Sequence, residues 1–249
     1  MKQNIAIITG ASEGIGAALT KLLIQHNWKV IGLSRNLEKL KLLRNSLLEK
    51  KTCLKIYACD VQDFSKLKSI AKKSSPADLL FLNAGIYNPI DASQNNIEDY
   101  KQHLNINYLG VINSYEAFLP KMITAKKGHI IIMSSISGWI GLPKAAAYGP
   151  TKSALKNLAE SLKFELEPLG IKIQLFCPGF VETEATPVGE HSLPGIISAR
   201  KAANLIFNSL KSNYFEVFIP NNFVIWSLYI LKFLPENLAH RLIKWRTGY

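Results

Sequence analysis

Ser135, Tyr148 and Lys152 place a hydroxyl, a phenol and an ammonium at fixed intervals in the chain. Thirteen positions separate Ser135 from Tyr148, and four separate Tyr148 from Lys152. Beyond Lys152, the apolar residues Ala154, Leu155, Leu158, Ala159, Leu162 and Leu166 recur at helical spacing. Tyr148 and Lys152 are therefore expected one turn apart on one helix face, with Pro150 near the first turn. The chemistry this suggests is proton transfer to or from a carbonyl or alcohol oxygen. A free phenol, with a pKa of about 10, is too weak an acid to act alone near neutrality. A neighbouring ammonium favours the phenolate, so Lys152 is expected to lower the Tyr148 pKa toward the range of a general acid/base. Ser135 would hold the substrate oxygen by a hydrogen bond. Tyr-x-x-x-Lys alone is common, and a helix-start aromatic beside a solvated lysine reads the same way, so the rest of the chain must decide.

The elements that would position these groups begin with Asn4–Thr9, a continuous apolar run suited to a strand buried on both faces of a parallel sheet. Gly10-Ala-Ser12-Glu-Gly14-Ile15-Gly16 follows at once, and Ala17–Gln25 reads as a helix. Strand, glycine turn and helix form the setting in which backbone can approach a pyrophosphate at a helix N-terminus. A tight turn without a ligand is the plainer alternative. Trp28–Ser34 reads as a second strand ending at Ser34-Arg35-Asn36. At that tip a carboxylate selects the ribose of NAD, whereas an arginine accommodates the 2′-phosphate of NADP. The chain has Arg35 there and no acid at 34–36, which favours NADP(H) over NAD(H).

Leu37–Leu48 and Phe64–Lys73 read as helices and Leu54–Ala58 and Asp78–Leu82 as strands, so β and α alternate. Ile97–Ile123 reads as one long helix, kinked or broken near Pro120. Gly128–Met133 is a fifth strand leading into Ser134-Ser135, Lys172–Cys177 a sixth and Phe215–Ile219 a seventh, with a helix over Ser198–Leu210 before it. The fold class is α/β: a doubly wound Rossmann fold with a seven-stranded, mainly parallel sheet and helices on both faces. The glycine turn and Ser135 both fall at C-terminal strand ends, the edge where such sheets bind ligands.

Composition narrows the functional class. Apolar residues make up 48% and charged residues 19% of 249 residues, an ordinary globular balance with a substantial core. Cys53, Cys59 and Cys177 are odd in number and lack paired metal spacing, which argues against a disulfide framework or a zinc site. The run at Asn4–Thr9 leads straight into a glycine turn and does not read as a signal peptide, so a cytoplasmic protein is the expectation. The net charge of +12 invites a nucleic-acid reading, but the lysines are spread along helices without an Arg-rich block, as for solvated faces plus an anionic ligand.

The ordered motifs resemble the short-chain dehydrogenase/reductase family in its compact single-domain form. The resemblance runs from Ile5 to Ile219 through Thr9-Gly10-x-x-x-Gly14-Ile15-Gly16, Asp60-Val61, Asn83-Ala84-Gly85, Asn107, Ser134-Ser135, Tyr148-x-x-x-Lys152 and Pro178-Gly179-x-x-x-Thr183. It implies strand order 3-2-1-4-5-6-7 and a homodimer or homotetramer. It implies Tyr148 as general acid/base, Lys152 as the group that lowers its pKa and binds the nicotinamide ribose, Ser135 as substrate orienter, and Asn107 as holder of a relay water. It further implies Gly10, Ser12, Gly14, Ile15 and Gly16 at the cofactor, Asp60 and Val61 facing adenine, and Asn83, Ala84 and Gly85 along the ribose side. Pro178, Gly179, Val181 and Thr183 would contact nicotinamide and pyrophosphate. Two departures stand out: Glu13 precedes the second glycine, where NADP-preferring relatives often carry a basic residue, and the active-site helix begins Tyr-Gly-Pro-Thr-Lys.

Residues 1–220 are thus expected to form the NADP(H)-binding catalytic domain, with 221–249 as its helical extension. In that extension Phe223–Leu234 is strongly apolar, and a basic amphipathic stretch ending at Arg246 follows Pro235. Twelve residues are too few to span a bilayer, which needs about 20. A flap over the substrate pocket, a subunit contact, and a helix lying in a membrane interface through 223–246 all fit. The substrate pocket falls to the loops Ile86–Asn96, Gly138–Ala147 and Glu184–Ile197, with Trp139, Ile140, Leu142 and Phe180 as candidates for an apolar wall. The leading expectation is an NADP(H)-dependent oxidoreductase interconverting a ketone or aldehyde with an alcohol. A catalytically silent dinucleotide sensor or scaffold on the same fold is the alternative.

Overall fold

The apolar runs become strands, and the central ones are buried on both faces. In the computed structural model, which describes residues 3–94, 96–183 and 195–248, these are β1 (Ile5–Thr9), β2 (Lys29–Ser34), β3 (Leu54–Ala58), β4 (Leu79–Leu82), β5 (Gly128–Met133), β6 (Ile171–Pro178) and β9 (Glu216–Ile219). They lie within one residue of the expected ends and form one sheet in the order β3-β2-β1-β4-β5-β6-β9, every neighbouring pair parallel. Two short strands, β7 (Val181–Glu182) and β8 (Ile197–Ser198), pair separately.

Alternation along the strands sends side chains to two cores. Ile7, Leu80, Ile130, Ile132 and Leu175 face one way, with Leu67 and Ile70 of α3 (Phe64–Lys73), Phe118 and Met122 of α5 (Gly110–Ala125), and Leu155 and Leu162 of α6 (Gly149–Leu166). Ile8, Leu79, Phe81, Ile131 and Phe176 face the other, with Leu19 and Leu23 of α1 (Gly14–Gln25), Leu40 of α2 (Leu37–Asn45) and Ala202 and Ile206 of α7 (Ala199–Ser209).

Helix α2 and the long helix depart from expectation. α2 ends at Asn45, where the Ser46 hydroxyl donates to the Leu43 carbonyl at 2.7 Å; a 3₁₀ segment over Leu48–Cys53 follows. The long helix is not broken at Pro120. It comprises α4 (Ile97–His103), a π-helical stretch (Leu104–Leu109) and α5, which runs through the proline to Ala125. Burial of Phe118 and Met122 on either side of Pro120 offsets a cost of roughly 3 kcal/mol for an internal proline. The irregularity sits instead at Leu104–Leu109, around Asn107; π-turns inside helices often mark functional sites.

Chain order reverses between β1 and β4, the switch point at which such sheets bind ligands. The glycine turn, Asn83-Ala84-Gly85, Ser134-Ser135 and Pro178-Gly179 all leave C-terminal strand ends at this edge. After β9 come α8 (Phe223–Leu231) and α9 (Glu236–Thr247).

Candidate active site

The glycine turn after β1 is packed too tightly to admit side chains at Gly10 and Gly16. Gly10 and Gly14 have φ of +67° and +54°, a region that costs an ordinary residue roughly 1–2 kcal/mol. A Cβ on Gly16 would lie 2.1 Å from the Gly10 carbonyl oxygen. Helix α1 starts at Gly14, earlier than the Ala17 expected, so Gly14, Ile15 and Gly16 form its first turn. The turn is tied to the end of β4. Thr9 Oγ1 accepts from the N–H groups of Asn83 at 3.0 Å and Ala84 at 3.1 Å. Asn83 Nδ2 donates to the carbonyls of Thr9 at 3.2 Å and Gly10 at 3.3 Å. The Asn83 side chain therefore braces the turn, while Gly85 is exposed on the rim.

At the tip of β2 the Ser12 and Ser34 hydroxyls are 2.8 Å apart, and Asn36 Oδ1 caps α2 by accepting from Lys39 N–H at 2.9 Å. Ser12, Glu13, Ser34, Arg35 and Lys39 line a cleft of about 570 Å³. Glu13 forms an ion pair with Lys39. Sequence reading missed this partner; the available signal was that Lys39 stands at the third position of the helix that Asn36 caps. Beyond β3, Asp60 Oδ1 accepts from Gln62 N–H at 2.9 Å, and Val61 packs so closely on Gly110 that a Cβ there would meet it at 2.5 Å.

Ser135 follows β5 and opens a 3₁₀ turn over Ile136–Gly138, its hydroxyl accepting from Ser137 N–H at 3.2 Å. That hydroxyl lies near enough to the Tyr148 phenol to favour its ionised form. Tyr148 is the residue immediately before α6, and Lys152 lies one turn inside it. Ser134 Oγ donates to the Lys152 carbonyl at 2.9 Å, locking the turn onto the helix. Lys152 is buried; its Nζ donates to the Met133 carbonyl at 2.9 Å and lies 5.5 Å from the Tyr148 ring centroid.

Electrostatics at this pair differ from the expectation. Burial pushes the Tyr148 phenol up to about 12, opposed by the nearby Ser135 hydroxyl, and pushes Lys152 down to about 8. Tyr148 as a whole is only half-buried, so it is the packing around its hydroxyl that raises its pKa. Removal from water outweighs the attraction of the ammonium to the phenolate, because Lys152 directs its charge at a backbone carbonyl.

Asn107 is fully buried in the π-helical stretch. Its Oδ1 accepts from Ile86 N–H at 2.8 Å, and its Nδ2 donates to the Ile86 carbonyl at 3.0 Å and to Thr151 Oγ1 at 3.4 Å. These contacts tie the segment after β4 to the start of α6. A Cβ on Gly85 would lie 3.2 Å from Asn107 Oδ1 and 3.7 Å from Lys152 Nζ, so all three meet.

Two neighbours escaped sequence reading. The Tyr87 ring centroid lies 4.9 Å from that of Tyr148. His103, buried immediately before the π-helical stretch, has Nδ1 2.7 Å from the Asp99 carbonyl and accepts from Asn88 N–H through Nε2 at 3.2 Å, fixing the segment that carries Tyr87. The only signal for His103 was its place four residues before Asn107.

On the far side, Pro178 ends β6, and Gly179 N–H donates to the Ile219 carbonyl at 2.8 Å. A Cβ on Gly179 would lie 2.3 Å from Ile225 Cδ1 of α8, so the C-terminal extension packs directly on this loop. Val181 is buried in β7, and Thr183 follows that strand. Trp139 is buried, donating from Nε1 to Glu216 at 2.7 Å, with its ring 4.9 Å from Tyr229 of α8. It is thus packing between the Ser135 turn and α8. Ile140, Leu142 and Phe180 are partly exposed. Positions 184–194 of the expected pocket loop lie outside the described residues.

This geometry has close counterparts. Residues 4–191 match the sequence model of the short chain dehydrogenase family. A 3-oxoacyl-acyl-carrier-protein reductase, FabG, from Rickettsia prowazekii is 34% identical over 181 residues, spanning 73% of this chain and 74% of its own. The structure of ElxO with NADP bound superposes with a TM-score of 0.78 at 25% identity, covering 88% of this chain and 97% of ElxO. A short chain dehydrogenase from Burkholderia cenocepacia, solved in complex with NADP, shares the fold at a TM-score of 0.84 and 22% identity, covering 97% of this chain and 98% of its own. A family match across three-quarters of the sequence, on a sheet whose order and ligand edge fit it, means that the chain belongs to the short-chain dehydrogenase family of oxidoreductases.

Proposed function

We propose that the protein interconverts a ketone or aldehyde with an alcohol, using NADP(H) and Tyr148 as general acid/base. The observation that carries this reading is the placement of Ser135 at the end of β5 with Tyr148 and buried Lys152 at the start of α6, at the sheet edge where the glycine turn opens.

The residues present suit a dinucleotide. Gly10, Gly14 and Gly16 let the turn fold tightly against β4 and place the N-terminus of α1 at the ligand edge, where its N–H groups suit a pyrophosphate. Arg35 lines the cleft at the β2 tip, where no acid at 34–36 competes for a ribose hydroxyl. Glu13, the residue that argues against a 2′-phosphate, is offset by its ion pair with Lys39, so the cleft is not left acidic. NADP bound to ElxO is consistent with the same preference here.

When bound, the nicotinamide cofactor supplies or accepts the hydride. Ser135 orients the substrate oxygen, and Tyr148 transfers the proton at that oxygen. Lys152 provides positive charge behind the phenol, and Asn107 holds the Ile86 segment in place beside it. A phenol pushed up to about 12 is protonated at neutral pH, which suits proton donation and hence carbonyl reduction, the reaction named for the Rickettsia relative.

Equilibrium titration with NADPH and NADH tests the cofactor assignment without a known substrate. One charge-assisted contact is worth roughly 1.5–3 kcal/mol, so NADPH is expected to bind about 10- to 150-fold tighter, with Arg35→Ala removing most of the difference. Equal binding of the two by the unmodified protein would contradict Arg35 as the phosphate reader.

A further inference from the structure

The surface that the proposed chemistry leaves unused is the outer side of the C-terminal pair of helices. Each helix hides one stripe: Ile225 of α8, with Leu228 and Tyr229, packs on the core, and Ala239 and Ile243 of α9 are buried. The opposite stripes are open. Phe223, Trp226, Ile230 and Phe233 recur at i, i+3, i+7 and i+10, and Leu238, Leu242 and Trp245 at i, i+4 and i+7. Phe223 is 85%, Phe233 68% and Trp245 82% exposed. Open apolar stripes of this kind on a folded protein mark a binding face.

The charges beside these stripes identify the partner. Lys232 stands 5.8 Å and 5.9 Å over the rings of Tyr229 and Phe233. Exposed Arg241 and Lys244 flank the α9 stripe, while Glu236 is the one acid between 221 and 248. We propose that α8 and α9 dock on an anionic lipid bilayer, lying in the plane of the interface. A second copy of the chain would bring the same cations face to face, and the overall charge of +12 adds to that repulsion. Negative headgroups instead complement the cations while the aromatic stripes enter the headgroup–acyl boundary. Among the described residues no helix is long and apolar enough to cross a membrane, so the contact is superficial. The buried edge of α8 meets Gly179 and Trp139, so the docking face and the rim of the candidate active site share one helix.

Co-flotation of the full chain with vesicles tests this. Phosphatidylcholine vesicles with about 30% phosphatidylglycerol are expected to bind at least about fivefold more protein than phosphatidylcholine alone, with the excess lost in about 0.5 M salt. A Phe223→Ser/Phe233→Ser/Trp245→Ser variant is expected to bind about tenfold less, with its thermal midpoint and NADPH affinity unchanged. Lys50→Glu/Lys51→Glu/Lys55→Glu changes charge at the opposite edge of the sheet and is expected to bind within about twofold of the unmodified protein. Absence of flotation, an aromatic variant that floats normally, or an equal loss in the distant charge variant would each overturn the proposal. So would a dimer in sedimentation that the aromatic variant dissociates while vesicles bind neither, which assigns the face to a second copy.

Discussion

Tyr148 and Lys152 each resist the charged form, and both do so because they are buried. For Lys152 this has a measurable consequence for stability. Its folded pKa, about 8, lies below the ordinary 10.5, so below pH 8 the folded protein carries an ammonium that burial disfavours. The penalty is fully present below pH 8 and is relieved as pH rises through the window from 8 to 10.5. At roughly 1.4 kcal/mol per pH unit the penalty is about 3 kcal/mol, and the hydrogen bond to Met133 returns about 1 kcal/mol of it. Lys152→Met is therefore expected to raise the unfolding free energy by roughly 2 kcal/mol at pH 7, with the gain shrinking toward pH 10 and turnover abolished. Denaturant titrations at the two pH values measure it. An unchanged or lowered stability at pH 7 would show that Lys152 is compensated by groups other than the Met133 carbonyl.

The elements reach the site through their ends, and the end of β1 is the most constrained. Gly10 combines a φ of +67° with a closed surrounding: an added Cβ would meet Asn83 Nδ2 at 2.9 Å and the Ala84 Cα at 3.0 Å. The second contact is backbone, so the neighbour cannot swing away. Gly10→Ala is expected to cost roughly 2–3 kcal/mol of stability and to weaken NADPH binding more than tenfold, because the turn must open away from β4. Gly141→Ala is the control, since nothing lies within 4 Å of a Cβ at that position. Similar losses in both would mean that the turn tolerates a side chain and that its glycines serve another purpose. The π-helical stretch has an analogous role from the other side, where Asn107 ties the segment after β4 to Thr151 of α6.

At the scale of the whole molecule, the strands and their order were legible because buried parallel strands write themselves as local apolar runs, such as Ile5–Thr9 and Leu79–Leu82. Ser135, Tyr148 and Lys152 were legible for a related reason: one strand end and one helix start carry all three. What could not be read depends on packing between distant segments. The Glu13–Lys39 ion pair joins the glycine turn to α2. Asn83 turns toward the glycine turn because Thr9 and Gly10 offer acceptors there. The tolerance of Pro120 follows from Phe118 and Met122 on the sheet, and the shift of Tyr148 from burial that no spacing rule expresses. The extension beyond Pro220 showed its apolar and basic character in sequence, but only the fold separates the stripe that covers Gly179 from the stripe left open.

The central claim is that Tyr148 transfers the proton in a hydride-transfer reaction. Its most direct test is NADPH oxidation by the unmodified protein and by Tyr148→Phe across a panel of ketones and aldehydes, with NADPH affinity measured for both. Turnover is expected for the unmodified protein, with a loss of at least about 100-fold in Tyr148→Phe and NADPH binding within about twofold. Comparable turnover by the two proteins would contradict it, as would binding of NADPH with no reduction of any carbonyl compound by the unmodified protein.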